Sequence, residues 1–243
     1  MKNLKKWLAH CWSNTRNTVL LGKYFTGRTG VRSLIGQKNI ISKEKLGETW
    51  QKGLTSGAQV LKYSIVYDGD YINIDPKLLN KGGWDYDIIH NPKILIRQTA
   101  DNLMAAIDIN DYYHLNNIHS FAPNDTNVII QLEYVLSLLN SRLLTWFYQT
   151  TTLEIGRVMA QTDIETLELL PIKNVSALVQ KPFINTVKAI MQITGLNSYL
   201  KDKNKQNDIE NLQDKIDMLV YELYGLNATE INMIEDALDN RTF

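Results

Sequence analysis

From Gln59 onward apolar and polar residues alternate. Val60, Tyr63, Ile65 and Tyr67, then Tyr71, Ile72 and Ile74, are β-branched or aromatic, a pattern of period two that predicts strands. Asp68-Gly69-Asp70 lies between the two runs and reads as a hairpin turn. Asp75-Pro76 ends the second run and Lys81-Gly82-Gly83 forms another turn. The consecutive aliphatics Ile94-Leu95-Ile96 predict a third strand, buried. Thr99–Ile109 reads as a helix or a strand-turn, and Tyr112–Leu115 as a short strand. The period then changes. Leu132, Val135, Leu136, Leu139, Leu143, Trp146 and Phe147 recur every three or four residues, which predicts one helix over 131–149 with its stripe against a core. Asn140 and Ser141 interrupt that stripe and are read as packing and hydrogen-bonding groups within the domain. Thr150-Thr151-Thr152 ends the helix, Glu154–Arg157 reads as a loop, and Ile164–Leu170 leads into Pro171.

The last third predicts helices over 182–196 and 209–224, with 197–208 as a polar loop between them. Gly225 stands where a left-handed cap would end the second, with Leu226 closing behind it. Asn227 and Glu230 have the spacing of a capping box for a final helix, whose Ile231, Ile234 and Leu238 face inward. The first 58 residues carry weaker signals: a helix over 4–21, a basic loop with three glycines over 22–32, and a short helix over 43–54.

Composition adds constraints. Hydrophobic residues make up 44% and charged residues 21% of the 243, ordinary values for a chain that buries a core. The single cysteine, Cys11, excludes an internal disulfide framework and points to a reducing cytoplasmic compartment. His10 beside it is incidental, because a structural zinc wants four ligands. The polar residues His10, Ser13, Asn14, Arg16 and Asn17 break the run that a signal peptide would need. No run approaches the roughly 20 apolar residues of a membrane span. The net charge is zero, yet residues 1–62 hold twelve Lys/Arg against two acids, a balance of +10. Such a block suits phosphates, and it equally suits a solvated lead-in.

Three constellations bear on chemistry. The spacing Phe25-x-Gly27-x-x-Gly30 is that of a nucleotide-binding loop, but it lacks the preceding buried strand and the acidic residue for a ribose. A basic turn touching a backbone phosphate is the better account. Asp75-Pro76-Lys77, with Asp68 or Asp70 upstream, has the ending of a metal-dependent nuclease motif. Proline after the would-be ligand disrupts the strand that presents it, so no metal site is assigned. His114 and His119 have no carboxylate or cysteine near enough to complete a site.

Five stretches carry a family resemblance in their order and spacing: Gly57–Tyr63, Pro92–Thr99, Leu138–Leu144, Leu170-Pro171-Ile172, and Val220–Leu226 with Glu230-Ile231. Across residues 55–240 the chain resembles the TaqI-like C-terminal specificity domain. This is the target-recognition domain of adenine-specific DNA methyltransferases and combined restriction–modification enzymes. The resemblance implies an α/β (α+β) target-recognition domain with a C-terminal helical bundle region, divided as 1–54, 55–175 and 176–243. It implies duplex DNA as partner, together with a methyltransferase or restriction subunit. S-adenosylmethionine would belong to a catalytic domain outside this chain. No Asn/Asp-Pro-Pro-Tyr motif is present, since His90-Asn91-Pro92-Lys93 has only the first proline. The chain is therefore expected to be a specificity portion alone, with no catalytic residue and no cofactor of its own.

Arg, Lys, Asn and Gln read base edges, and the same cations with Tyr and hydroxyls hold phosphates. On those grounds Arg28, Arg32, Lys62, Tyr63, Lys93, Arg97, Gln98, Asn116 and Asn117 are the candidate DNA-binding residues. Two alternatives remain: an interaction module using the acidic helical tail, and a nuclease at Asp68, Asp75 and Lys77.

Overall fold

The computed structural model describes residues 17–82, 89–100, 102–124, 130–151, 162–195 and 197–239. The expected helix before residue 17, the His10–Cys11 pair, Gly83 and the 154–157 loop lie outside the described residues. Strands come first in chain order: β1 (Thr18–Leu20), β2 (Phe25–Thr29), β3 (Ile41–Ser42), β4 (Trp50–Leu54), β5 (Val60–Leu61) and β6 (Ser64–Ile65). Then follow β7 (Tyr71–Asn73), β8 (Lys93–Arg97), β9 (Ala105–Asp108), β10 (Tyr113–His114) and β11 (Ile118–Pro123). The remainder is α1 (Leu132–Leu139), α2 (Arg142–Thr151), α3 (Ile164–Glu168), β12 (Pro171–Lys173), α4 (Ala177–Thr194), α5 (Lys203–Tyr224) and α6 (Ala228–Asp239).

Two four-stranded sheets form the frame, in the orders β2-β11-β8-β9 and β10-β4-β7-β3. The first is antiparallel throughout. Its strand β8 is the buried strand expected from Ile94-Leu95-Ile96, with side chains alternating between two cores. Ile94 and Ile96 pack with the helices, while Leu95 packs with Leu54, Val60, Ala106 and Ile118. The helical core joins α1, α2, α4, α5 and α6 to that sheet through Tyr134, Leu139, Phe183, Val187, Val220 and Ile234. The second sheet has a smaller core of its own around Ile40, Ile72 and Leu115. β1 pairs with β12, closing the start of the described chain onto residues 171–173.

Several elements differ from the sequence reading, each for a long-range reason. The glycine-rich segment is strand β2 rather than a loop: Phe25 is buried, and a side chain on Gly27 would meet Phe121 at 2.9 Å. The helix expected over 43–54 is absent; its second half is β4, paired through Trp50, Gln51 and Lys52 with Asn73, Ile72 and Tyr71. Thr18–Leu20, expected as the end of a helix, is a strand. Asp68-Gly69-Asp70 is not a hairpin turn, because β6 pairs back on β5 while β7 crosses to β3 and β4. Of the two readings of Thr99–Ile109, helix or strand-turn, the second holds where strand β9 runs over Ala105–Asp108.

The single helix over 131–149 is two, broken at Asn140 and Ser141. Asn140 turns its side chain to strand β9, accepting the Ala105 amide at 2.9 Å and donating to the Ala105 carbonyl at 3.0 Å. α4 starts at Ala177 and runs through Pro182. The carbonyl that Pro182 leaves without an amide donor belongs to Leu178, which is 79% exposed, so water can take its place. α5 begins at Lys203 inside the expected loop, capped by Asp202, which accepts the Asn204 amide. At the far end the local rules hold. Gly225 is left-handed at φ 70°, the Leu226 amide reaches the Tyr221 carbonyl, and Asn227 and Glu230 form the reciprocal capping box.

Candidate nucleic-acid interface

The two sheets meet where three chain segments come together: the end of β8, the link from β10 to β11, and the turn after β4. The Gln98 amide donates to the Asn117 carbonyl at 3.0 Å, and the Asn117 side-chain amide donates to the Thr55 carbonyl at 3.0 Å. Asn116 accepts from Gln37 at 2.8 Å, and Gln37 in turn accepts the Ser33 amide at 3.1 Å. Arg97 crosses Gly57 and places its guanidinium 3.8 Å from the Met104 sulfur. A Cβ on Gly57 would stand 3.1 Å from the Asn117 carbonyl oxygen and 3.2 Å from Arg97 Cγ, so the crossing depends on a bare backbone.

Thr162 closes this arrangement from the other side. Its amide donates to the Gln98 carbonyl at 2.7 Å and its hydroxyl to the Arg97 carbonyl at 3.2 Å. The Thr162 carbonyl, 2.9 Å from His119 Nε2, can only accept, so Nε2 carries the proton and Nδ1 accepts from the Thr29 hydroxyl at 3.2 Å. Burial pushes the His119 pKa down, which keeps the ring neutral in this chain of bonds. Arg28 and Arg32 flank the line and are exposed. Arg28 Nη1 donates to the Gly27 carbonyl at 2.9 Å.

Of the nine expected contact residues, Arg28, Arg32, Arg97, Gln98, Asn116 and Asn117 lie on or beside this surface. The other three do not. Lys93 is completely buried, with Nζ 2.6 Å from Asp108 and donating to the Ile89 carbonyl at 2.8 Å. Tyr63 is 3% exposed, held at φ 65° beneath the helices, and burial keeps its hydroxyl protonated. Lys62 donates to the Asn140 carbonyl at 2.9 Å, and burial lowers its pKa. The sequence reading missed Gln37, Thr55, Thr162 and the role of His119. No spacing marks them, since each is tied into the junction by a bond that spans 43 to 90 residues of chain, Gln37–Asn116 and Asn117–Thr55 included.

The model of the TaqI-like C-terminal specificity domain family matches residues 52–172. Residues 52–172 belong to this family. The match runs from β4 to β12 and takes in Arg97, Gln98, Asn116, Asn117 and Thr162. Among solved structures, the type IIL restriction–modification enzyme MmeI in complex with DNA is similar at 10% identity and a TM-score of 0.57, over 88% of this chain and 36% of that one. The type IIG restriction endonuclease BpuSI is similar at 10% identity and a TM-score of 0.52, over 92% of this chain and 33% of that one. At such identities the likeness is one of fold. The chain spans less than half the length of these solved structures. No curated protein matches the sequence.

In this specificity domain the carboxylates of the nuclease alternative are engaged in local structure. Asp70 accepts from the Thr55 hydroxyl at 2.6 Å and pairs with Lys43 at 2.8 Å. Burial opposes its ionisation, but the Lys43 and Thr55 bonds outweigh burial and hold its carboxyl below the usual range. Asp68 accepts from Gln59 at 2.7 Å, and the same Gln59 accepts the Thr55 and Ser56 amides at 2.7 and 2.9 Å. Asp75 accepts the Lys77 amide at 3.0 Å as the cap of a short turn. These bonds brace the turn after β4 that carries Thr55 and Gly57. The Gly27 amide, where a phosphate would be expected in a nucleotide loop, donates instead to the Glu168 carboxylate at 3.2 Å.

Proposed function

We propose that this chain reads a duplex DNA sequence for a restriction–modification enzyme, with the chemistry supplied by a catalytic domain outside these residues. The observation that carries this reading is the braced junction of Arg97, Gln98, Asn116 and Asn117 within a TaqI-like specificity domain. The backbones of Arg97, Gln98 and Asn117, and one side-chain atom each of Asn116 and Asn117, are held by neighbouring segments. Arg is suited to the O6 and N7 acceptors of guanine, and Gln or Asn to the N6 and N7 pair of adenine. Arg28 and Arg32 supply flanking positive charge for phosphates, which set register without reading sequence. The partner domain would bind S-adenosylmethionine and methylate adenine N6, or belong to a restriction subunit. The acidic-tail alternative is weakened because Glu235 and Asp239 of α6 already pair with Arg142.

Selection from a randomised duplex library at moderate salt tests the reading. An enriched motif is expected, and Arg97→Ala and Gln98→Ala should each relax one position of it, by about 1–3 kcal/mol. Equal binding of all sequences, both alone and with a cognate methyltransferase subunit, would rule it out.

A further inference from the structure

We infer that the second sheet carries a separate site for one unstacked nucleotide of a DNA strand, at the opposite end of β4 from the junction. A cavity of about 620 Å³ opens there, lined by Lys45, Trp50, Lys52, Tyr71, Asn110 and Asp111 among others. In the antiparallel register Lys52 stands opposite Tyr71 and Trp50 opposite Asn73. Strand residues two apart share a face, so Trp50, Lys52 and Tyr71 project together, away from the buried Ile72. The two rings are half-buried and the two lysines exposed. Among the described residues, Lys45, Lys52, the Trp50 indole and the Tyr71 hydroxyl make no hydrogen bond or ion pair. The far wall is different, with Asp111 paired to His90 at 3.2 Å beside Asn110.

This combination is selective about what it can hold. A nucleobase can stack on Trp50 and Tyr71 while its phosphate meets Lys45 or Lys52, the pairing of aromatic platform and cation that binds single strands. Asn110 and Asp111 offer an amide and a carboxylate to a base edge. An acidic peptide would satisfy the lysines but leave both rings uncovered and face the Asp111 charge. Trp50 and Thr55 are five residues apart on an extended strand, about 16 Å, so the cavity stands apart from the junction. The site therefore does not depend on the duplex-reading proposal.

The test is fluorescence anisotropy of the full chain with a labelled eight-nucleotide dT strand and with an abasic strand of equal length. The dT strand should bind about tenfold more tightly than the abasic one, as one stacked base permits. Trp50→Ala should remove that difference and Trp50→Phe should keep most of it. Lys52→Gln should weaken both strands and make binding less salt-dependent. Equal binding of the two strands by the unaltered chain, a dT preference that survives Trp50→Ala, or polyglutamate binding as tightly as dT would each overturn the site. The duplex selection separates the two proposals: Trp50→Ala should enrich the same motif as the unaltered chain. Failure of that selection with the dT preference intact would remove duplex reading and leave this site standing.

Discussion

Lys93 shows how a residue next to an aliphatic run can mislead. By its type and position it reads as a groove contact, but Asp108, fifteen residues on, takes its charge inside the sheet. Both side chains are fully buried, and Asp108 also accepts the amides of Asn110 at 2.8 Å and Tyr112 at 3.0 Å. Removing one partner of such a pair leaves the other charge stranded, at a cost of about 3–5 kcal/mol. Lys93→Met should therefore lower stability by that amount in urea denaturation, and Lys93→Met with Asp108→Asn should recover much of it, since asparagine keeps an acceptor. A surface lysine would lose almost nothing. Asp217 on α5 offers a pH-dependent counterpart. Burial lifts its pKa from 3.8 to about 6, against the Arg142 amide bond that favours ionisation. A carboxyl with a raised folded pKa holds its proton more tightly when folded. Its contribution is complete below about pH 4 and is lost as pH rises through about 6. Asp217→Asn keeps the acceptor for Arg142 without the ionisation. Its stability advantage should grow from near zero at pH 4 to about 3 kcal/mol at pH 7, at 1.36 kcal/mol per unit. An advantage that stayed constant across that range would contradict the assignment.

At the scale of elements, Asn140 decides where one expected helix becomes two. Its amide completes both backbone groups of Ala105, while Ser141 accepts the Leu144 amide at 3.2 Å to begin α2. Asn140→Ala would leave the buried Ala105 N–H unpaired, at about 1–3 kcal/mol, while the Ala105 carbonyl keeps the Tyr63 amide as a donor at 2.9 Å. The melting temperature should fall accordingly, and an unchanged melt would mean that β9 finds other partners. Gly225→Ala is the milder companion. Its φ of 70° costs a side-chain-bearing residue about 1 kcal/mol, readable as a small shift in the same melt. These elements also show what was legible in the sequence. The Gly225 cap and the Asn227–Glu230 box are closed by residues within five positions of one another, so their spacing was enough. The buried strand β8 was equally plain from three adjacent aliphatics. β4 and the crossing at Asp68-Gly69-Asp70 were not, because pairing partners such as Ile41 and Ile72 are chosen by the tertiary fold. In the candidate interface Arg97-Gln98 followed from its place at the end of β8. Thr162 and Gln37 belong to it only through bonds that span 64 and 79 residues.

At the scale of the whole molecule, the expected division at residues 54 and 175 meets bonds that cross both places. β1 pairs with β12, and β2 lies against β11 inside the principal sheet. Beyond residue 175, Phe183 of α4 meets Tyr134 edge-on with ring centres 5.4 Å apart. Tyr224 of α5 donates to the Pro171 carbonyl at 2.6 Å while Lys173 stands 5.4 Å over its ring. Tyr199 and Ser64 are joined hydroxyl to hydroxyl at 2.9 Å. The helices therefore complete the core on which β8 and β9 rest, and β8 and its neighbours in turn set Arg97 and Gln98. A core shared in this way should unfold as a unit. Trp146 is buried among the helices and Trp50 lies on the second sheet, so single-tryptophan variants retaining one or the other report opposite ends of the molecule. Their urea transitions should coincide with each other and with the loss of helical circular dichroism. A chain ended after Val175 should lose that cooperative transition, because Tyr134, Leu139 and Trp146 would lose the helices that cover them. Two separated transitions, or a truncated chain that still melts sharply, would instead make residues 176–243 an independent body and the junction at Arg97 self-supporting.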